Sequence, residues 1–562
     1  MAERTKYRSR WIGAIGAIGA MGLLAGACGG SSTPNNSNAS DNQGTVAREN
    51  QGVVESAEKP VVGGKLVYGL IAESNGWNPA TNNWASSGLQ VTKALFDTIS
   101  AYDENSQIKP NLAESFQHND KYTEWTIKIR PNIKLHNGKP VTAETIVRNQ
   151  TYLMKSPITN PAYKFAAVDS FSKKDDLTFV VKLTKPVTVL PVLFATQLGV
   201  VGDPDWLESN DGLKPIGTGP FKMDTWVIDQ KLTVTKNNDY WQTDKDGTKL
   251  PYLDGIDFRV IADSASRAAA LKSKDIDVMQ SANGNQLADF QKQGGFQVYA
   301  DSKGESIERM VMLNTQAEPF NDPDVRRAMA LATDRKTFSE ATSAGLDEVA
   351  DGPMASNSPW YTKTSYPDFD ADKAKELVEK AKPKHGGKIA FTLTGSVAPE
   401  TQIYAQLLQQ QWAAVGIEVD VQLVEQAKLI IQVVSGSYQA TTWLQFDAPI
   451  PYVDGVWLDP RGAPAPPAFA LNFARNKDDA IGAALDASAA DPTFEGQKKQ
   501  FDIIQNRLAE DIPYIWLTHT RISVIAAERV VNLTRYILPG DGGVGLDLTQ
   551  GAHSVKQIWL KP

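Results

Sequence analysis

Cysteine is nearly absent from this chain: Cys28 is the single one among 562 residues. No intramolecular disulfide can form, so a disulfide scaffold is excluded. Histidine is also scarce. His118, His136, His385, His519 and His553 are scattered, and no H-E-x-x-H places two of them one helical turn apart for a metal. The sequence contains no G-x-S-x-G elbow for a serine nucleophile. "GTGPF" (217–221) lacks the spacing and lysine of a phosphate loop and reads as a tight turn. A basic surplus is missing too, with 57 Lys and Arg against 65 Asp and Glu and a net charge of −8. That balance argues against nucleic acid, whose affinity rests on basic phosphate contacts, and against broad adsorption to anionic bilayers. Long apolar runs are lacking as well. The uncharged stretch from Trp11 to Ala25 falls short of the roughly 20 residues a membrane span needs. Neither a catalytic group, a metal site nor a cofactor is expected.

The setting of the lone cysteine is informative. Arg4, Lys6, Arg8 and Arg10 precede the apolar stretch, and Leu24-Ala25-Gly26-Ala27 leads into Cys28. A basic start, a short apolar middle and a small-residue exit are the parts of a secretory signal peptide over 1–27. The exit resembles the lipobox of bacterial lipoproteins, with Ala25 at a position where Leu is commoner. That resemblance implies a diacylglycerol on Cys28, which becomes the mature N-terminus on the outer face of the cytoplasmic membrane. Removing 1–27 takes away those four basic residues and Glu3, so the net charge falls from −8 to −11. Residues 28–62 continue with Gly, Ser, Asn, Thr and Gln, too polar to order themselves. They form a flexible tether of about 30 Å root-mean-square reach.

The remainder is longer than one hydrophobic core usually serves, so two or more lobes are expected. "GGKLVYGLIAE" (63–73) alternates as a strand. "SSGLQVTKALFDTI" (86–99) predicts a helix with a serine cap and an apolar face at Leu89, Thr92, Leu95, Phe96 and Ile99. Strands recur at 124–130, 178–183, 231–237 and 256–261. Helices recur at 142–155, 263–273, 322–343, 370–382, 399–415 and 494–511. Their interleaving gives a mixed α/β class.

Six stretches, in order, carry a resemblance: "FDTISAYDENSQIKPNLAESF" (96–116), "EWTIKIRPNIKLHNGKPVTAETIV" (124–147), "PIGTGPFKMDTWVIDQKLTVTKNNDYW" (215–241), "LNTQAEPFNDPDVRRAMALATDR" (313–335), "AVGIEVDVQL" (414–423) and "LAEDIPYIWL" (508–517). Together they resemble the family 5 solute-binding proteins of ABC importers, which take up oligopeptides, dipeptides, nickel and related solutes. The glycines, prolines and tryptophans of these motifs specify a scaffold rather than a ligand. The resemblance implies a two-lobed periplasmic-binding-protein-like clamp of type II, with mixed sheets flanked by helices. Lobe one would comprise 63–97, 214–307 and 524–562, an extra subdomain 98–213, and lobe two 308–523. A ligand would be trapped between the lobes by hinge closure.

In peptide-binding members an aspartate on lobe two pairs with the ligand's α-ammonium. The corresponding segment here is "TTWLQFDAPIPYVDGVWLDP" (441–460), with Trp443 for the family tryptophan and Asp447 for the aspartate, one residue further away than usual. On lobe one "AESNGWNPATNNW" (72–84) resembles the family's first loop and offers Glu73, Ser74, Asn83 and Trp84. Tyr404, on the 399–415 helix, completes the candidate set. The expected partners are a small peptide and the permease subunits of an importer, with the chain acting as a monomer. Two alternatives stay open: the same receptor for nickel, a glycoside, or a haem-like or aromatic compound; or a lipoprotein that regulates or scaffolds the envelope without transport.

Overall fold

The computed structural model describes residues 58–562 apart from 210, 301–306, 447 and 521. The signal segment, Cys28, most of the tether and Asp447 therefore lie outside the described residues. Two large sheets dominate. The first has seven strands in the order Phe296–Ala300, Ser523–Ala527, Val278–Ser281, Lys65–Leu70, Gly255–Val260, Lys231–Lys236, Phe221–Val227. The second has six, in the order Glu348–Val349, Tyr514–Thr520, Ile307–Leu313, Ala440–Phe446, Ile389–Ser396, Ile417–Val424. The central strands Ile307–Leu313 and Tyr514–Thr520 are buried at every position, although the first carries Glu308 and Arg309 and the second His519. The edge strand Ile417–Val424 (IEVDVQLV) alternates instead and buries only its two ends. Each sheet has its own hydrophobic core. The expected two-lobed clamp is thus built from two separate mixed sheets.

A four-stranded antiparallel sheet, ordered Ala113–His118, Glu124–Ile129, Thr178–Leu183, Val168–Lys173, forms the subdomain. Trp125 fills its core and donates from Nε1 to the Val187 carbonyl. The "GTGPF" tract joins it to lobe one. A Cβ on Gly217 would lie 2.0 Å from the Leu95 carbonyl oxygen, and one on Gly219 2.4 Å from the Leu95 carbonyl carbon. Glycine is required because two backbones touch, and the close approach coincides with the end of the preceding helix at Leu95.

Three local expectations need correction. The 86–99 helix runs only over Ser86–Leu95, and Ala85, not a serine, holds its cap position. Ser87 is engaged elsewhere: its Oγ accepts from the amides of Ile71 and Ala72. The long helix over 322–343 is two helices, Pro323–Leu331 and Arg335–Ser343. The break has a cause. Asp334 caps the second helix by accepting from Thr337 N, and Thr333 accepts from Trp412 Nε1 at 3.0 Å. Helices Gly284–Gln293, Gln426–Ser435 and Asp479–Ala490 were not expected.

The chain passes between lobes twice, along neighbouring strands. Ala300 lies opposite Ser523 at the end of the first sheet, and Ile307 lies opposite Thr520 at the start of the second.

Candidate ligand cleft

Strand direction locates the cleft. In lobe one Lys65–Leu70 runs parallel to both Gly255–Val260 and Val278–Ser281. Ser281 pairs with Ser523, so the carboxyl ends of these strands sit at the crossover. In lobe two Ile389–Ser396 runs parallel to Ile417–Val424 and Ala440–Phe446. Phe446 pairs with Ile307, so these carboxyl ends meet the crossover from the other side. Open α/β sheets bind ligands outside the carboxyl ends of parallel strands. Here two such edges face each other across the hinge. They approach at Gly284, where an added Cβ would come 3.0 Å from Ser343 Cβ.

Most polar groups at lobe one's edge are held within the protein. Asp263 caps Ser264–Lys272 and Asn283 caps Gly284–Gln293. The buried Arg267 donates from Nε to the Gln280 carbonyl at 2.8 Å and from an Nη to the Ile261 carbonyl. Burial pulls its pKa down to about 10, against the opposing fields of Asp263 and of Glu400 from lobe two.

The predicted first-loop residues are held within this edge. Glu73 accepts from Ser74 N at 2.8 Å, Asp229 N at 2.9 Å and Trp226 Nε1 at 3.3 Å, tying the loop to a neighbouring hairpin. Ser74 Oγ donates to the Gly76 carbonyl. Trp84 is 6% exposed, stacks on Phe96, and donates from Nε1 to the same Gly76 carbonyl at 3.0 Å. Asn83 is exposed beside it. The subdomain's Gln197 clamps the loop further, donating to the Pro79 and Asn82 carbonyls.

Lobe two's edge is less committed. Helices Pro399–Ala413 and Gln426–Ser435 begin without a side-chain cap. Val397, Ile403, Ile430, Ile431 and Leu444 are exposed, Ile431 by 65%. The two lobe-two aromatics chosen from sequence are not brought together. Trp443 lies opposite Met310 on one face of the sheet, and Tyr404 sits 4.3 Å from the guanidinium of Arg309 on the other. Burial raises the Tyr404 phenol above its usual range.

Residues 447–454 replace the shorter family motif, and the structure gives the described part a task. Asp454 accepts from Ala448 N at 2.9 Å, and Trp360 Nε1 donates to the Pro449 carbonyl at 3.0 Å. Tyr452 is buried in the subdomain core, its ring 5.0 Å from Phe165. Lys185 of the subdomain reaches Asp486 of lobe two at 2.9 Å, and Thr188 Oγ1 donates to the Ala489 and Asp491 carbonyls.

Two cavities flank this segment. One, of about 250 Å³, lies between the subdomain turn Glu104–Ser106 and lobe-two residues Met354, Ser358, Ala448 and Pro449. The other, of about 40 Å³, is a chamber inside lobe two, lined by Trp443, Trp457, Glu308 and Asp454 among others, and Met354 lines it as well. Neither Met354 nor Trp457 was picked out from sequence. Trp457, sixteen residues after the quoted segment begins, was within view as "VDGVWLDP", but nothing in its spacing marks it.

The family model for bacterial extracellular solute-binding proteins, family 5 (middle) matches residues 107–469. The chain belongs to this family. It is 28% identical over 408 residues to the oligopeptide-binding protein AppA of Bacillus subtilis, covering 68% of this chain and 73% of AppA. It is 26% identical to the glutathione-binding protein GsiB of Pectobacterium atrosepticum over 59% of this chain and 64% of GsiB, just under two thirds of that relative. Among solved structures, the ABC transporter-associated periplasmic binding protein DppA of Helicobacter pylori, in complex with the peptide STSA, superposes with a TM-score of 0.76 at 21% identity. That superposition covers 89% of this chain and 99% of DppA. As a family 5 solute-binding protein the chain is extracytoplasmic, and its relatives are binding proteins rather than enzymes. Among the described residues, no helix is long and apolar enough to cross a membrane.

Proposed function

We propose that this chain is a lipid-anchored extracytoplasmic receptor that captures peptides between its lobes and delivers them, chemically unchanged, to an ABC importer. The observation that carries this reading is the pair of opposed carboxyl-end edges, in a chain that belongs to family 5. Relatives named for oligopeptide and glutathione binding support peptides as the solute. Backbone hydrogen bonds ignore side-chain identity, so such a cleft holds many sequences. Asp447, directly after the strand that ends at Phe446, takes the ligand's α-ammonium, because a charge in a closed site is costly without a partner.

Calorimetry with a small set of peptides tests the reading. Free-amine peptides bind, and ligand at a hundredfold excess over Kd stabilises the protein by about 2.7 kcal/mol. Asp447→Asn weakens them all alike by about 2–5 kcal/mol. Equal binding of free and N-acetylated peptides removes Asp447 from the site, and turnover of a stabilising ligand overturns the receptor reading. Fatty-acid labelling tests the anchor: wild type is labelled and membrane-bound, whereas Cys28→Ser is unlabelled. Equal labelling of both disproves it.

A further inference from the structure

The subdomain is held to its two neighbours by unlike joints. Its joint with lobe one is made of backbone. His136 N donates to the Gly217 carbonyl and Asp203 N to the Ile216 carbonyl, each at 2.8 Å, and Leu546 N donates to the Tyr102 carbonyl at 3.0 Å. In sequence, too, the subdomain lies between lobe-one strands, Lys65–Leu70 before it and Phe221–Val227 after it. Its joint with lobe two is made mostly of side chains. Tyr452, Ile450 and Ala489 of lobe two pack into the subdomain core, Tyr452 only 2% exposed and with its ring 5.0 Å from that of Phe165. Thr188 of the subdomain reaches the end of helix Asp479–Ala490, where the last carbonyls lack helical partners. Its N donates to the Ala489 carbonyl at 2.8 Å, and its Oγ1 to the Ala489 and Asp491 carbonyls at 3.0 and 2.9 Å.

Magnitudes rank the parts of this second joint. The ion pair between Lys185 and Asp486 is about half exposed on both sides, so water and salt leave it little strength. Asp486 is also shared with Arg461 of its own lobe, at 3.0 Å. Tyr452 carries the most, because an aromatic side chain buries roughly 150–250 Å². Yet its hydroxyl, though buried, has no hydrogen-bond partner among the described residues. A buried hydroxyl without a partner costs free energy that is recovered when water reaches it. The plug is therefore large but imperfect, a seat that holds and can be left. The same segment faces the ligand space. Ala448 and Pro449 line the outer cavity, and Pro451 and Asp454 line the chamber inside lobe two.

We propose that Tyr452 and its neighbours form a clasp between the subdomain and lobe two, which parts whenever the cleft opens and sets how long a ligand stays. Because backbone fixes the subdomain to lobe one, this is the joint that parts when the lobes separate. Pro449 stands three residues before Tyr452, so a ligand resting against it and the plug are mechanically joined. A seated ligand slows the parting, and a weaker plug shortens the ligand's stay. The role in residence time rests on the peptide-receptor reading; the parting itself is tested without a ligand.

Two rates test the clasp. The first is maleimide labelling of the full-length chain carrying Cys28→Ser and Ala489→Cys, whose single thiol lies within the clasp at a position 7% exposed. Tyr452→Ala raises that rate roughly tenfold or more, the scale of losing one buried aromatic. Tyr452→Phe, which removes the unpaired hydroxyl, lowers it about threefold or more. The second is release of isotope-labelled free-amine alanine peptides into an excess of the unlabelled ones. Release follows the same order, fastest from Tyr452→Ala and slowest from Tyr452→Phe, and saturating peptide slows the labelling. Tyr452→Phe keeps the aromatic volume, so it reports even where Tyr452→Ala fails to fold. Labelling that Tyr452→Phe leaves unchanged overturns the clasp. So does peptide release at one rate from wild type and variants, which leaves the peptide receptor standing. If none of the peptides binds while labelling responds to the substitutions, the receptor reading falls, the role in residence time falls with it, and the parting joint stands.

Discussion

The two edges of the cleft are built from the same parts, parallel strands leading into helices, yet they are finished differently. In lobe one two of the three helix starts at this edge are capped by side chains (the start at Ala85 is not), Arg267 holds strand-end carbonyls, Glu73 ties the first loop to a neighbouring hairpin, and Trp84 binds its own loop. In lobe two both helix starts lack such caps, and five aliphatic side chains stand exposed. A hydrogen-bonding group already paired inside the protein gains little from a ligand, whereas an uncommitted one gains the whole interaction. The comparison teaches that lobe one's edge commits more of its groups to the protein itself, and the proposed receptor would draw its ligand contacts mainly from lobe two.

The strongest way to break that view is to attack lobe one where it has no slack. Gly217→Val places a side chain against the Leu95 carbonyl and the Phe96 ring, at 2.0 and 2.5 Å from its Cβ. Backbone must move, so stability should fall by about 4 kcal/mol or more, in the range reserved for severe strain. Urea unfolding measures it, and a loss below about 1 kcal/mol, close to that of an ordinary surface change, would mean the tract is not a rigid joint.

A tryptophan exchange sharpens the contrast. Trp84→Ala removes a core side chain and should cost about 3–5 kcal/mol of stability, with peptide affinity of the folded protein nearly unchanged. Trp443→Ala, at a half-buried position on the chamber wall, should cost less stability and more affinity. Thermal melts and calorimetry on the same two variants decide it; the reverse ordering would exchange the roles assigned to the lobes.

Acid sensitivity is seated on lobe one's side, and per pH unit it is the gentlest of these effects. Burial holds His553 and His136 at about 4, below the ordinary 6.5. His553 is fully buried, with Nδ1 3.2 Å from the Ser554 carbonyl and Nε2 3.0 Å from the Tyr68 hydroxyl. His136 Nε2–H donates to the Gly219 carbonyl while its Nδ1 accepts from Gly217 N. His136 needs a neutral ring to accept from Gly217 N, and burial disfavours a charge on His553. Between pH 6.5 and about 4 the unfolded chain binds a proton that the folded one refuses, so stability falls as pH falls through that window and is flat above it. The slope should approach 1.4 kcal/mol per pH unit for each group, roughly. Urea midpoints against pH, with His553→Gln halving the slope, provide the check. A flat profile in that window would show that neither ring needs to be neutral.

Much of the scaffold was legible because it depends on local pattern. The helix Phe494–Asp511 and the strands near 124, 178 and 231 follow period and propensity. The failures are equally physical. The apolar period runs unbroken through Thr333–Asp334, so the cap that splits the helix was hidden. Ser86 sits one residue inside its helix, and Ser87 is drawn to the backbone of the loop that follows the strand Lys65–Leu70. The site was less legible. Trp84 and Trp443 both looked free of a helical apolar face, and nothing in the chain separates the buried one from the one on a cavity wall.

By itself the sequence determined the family, through motifs whose glycines, prolines and tryptophans are fixed by backbone contact and core volume. It also determined the acidic, cysteine-poor character that excludes whole classes of function. Only the tertiary structure decided which side chains remain available to a ligand. Glu73 lies 153 positions from Trp226, and their pairing exists only once the lobe has folded. Availability is what remains after every nearer partner has been satisfied, and those partners are set by contacts the linear pattern does not encode.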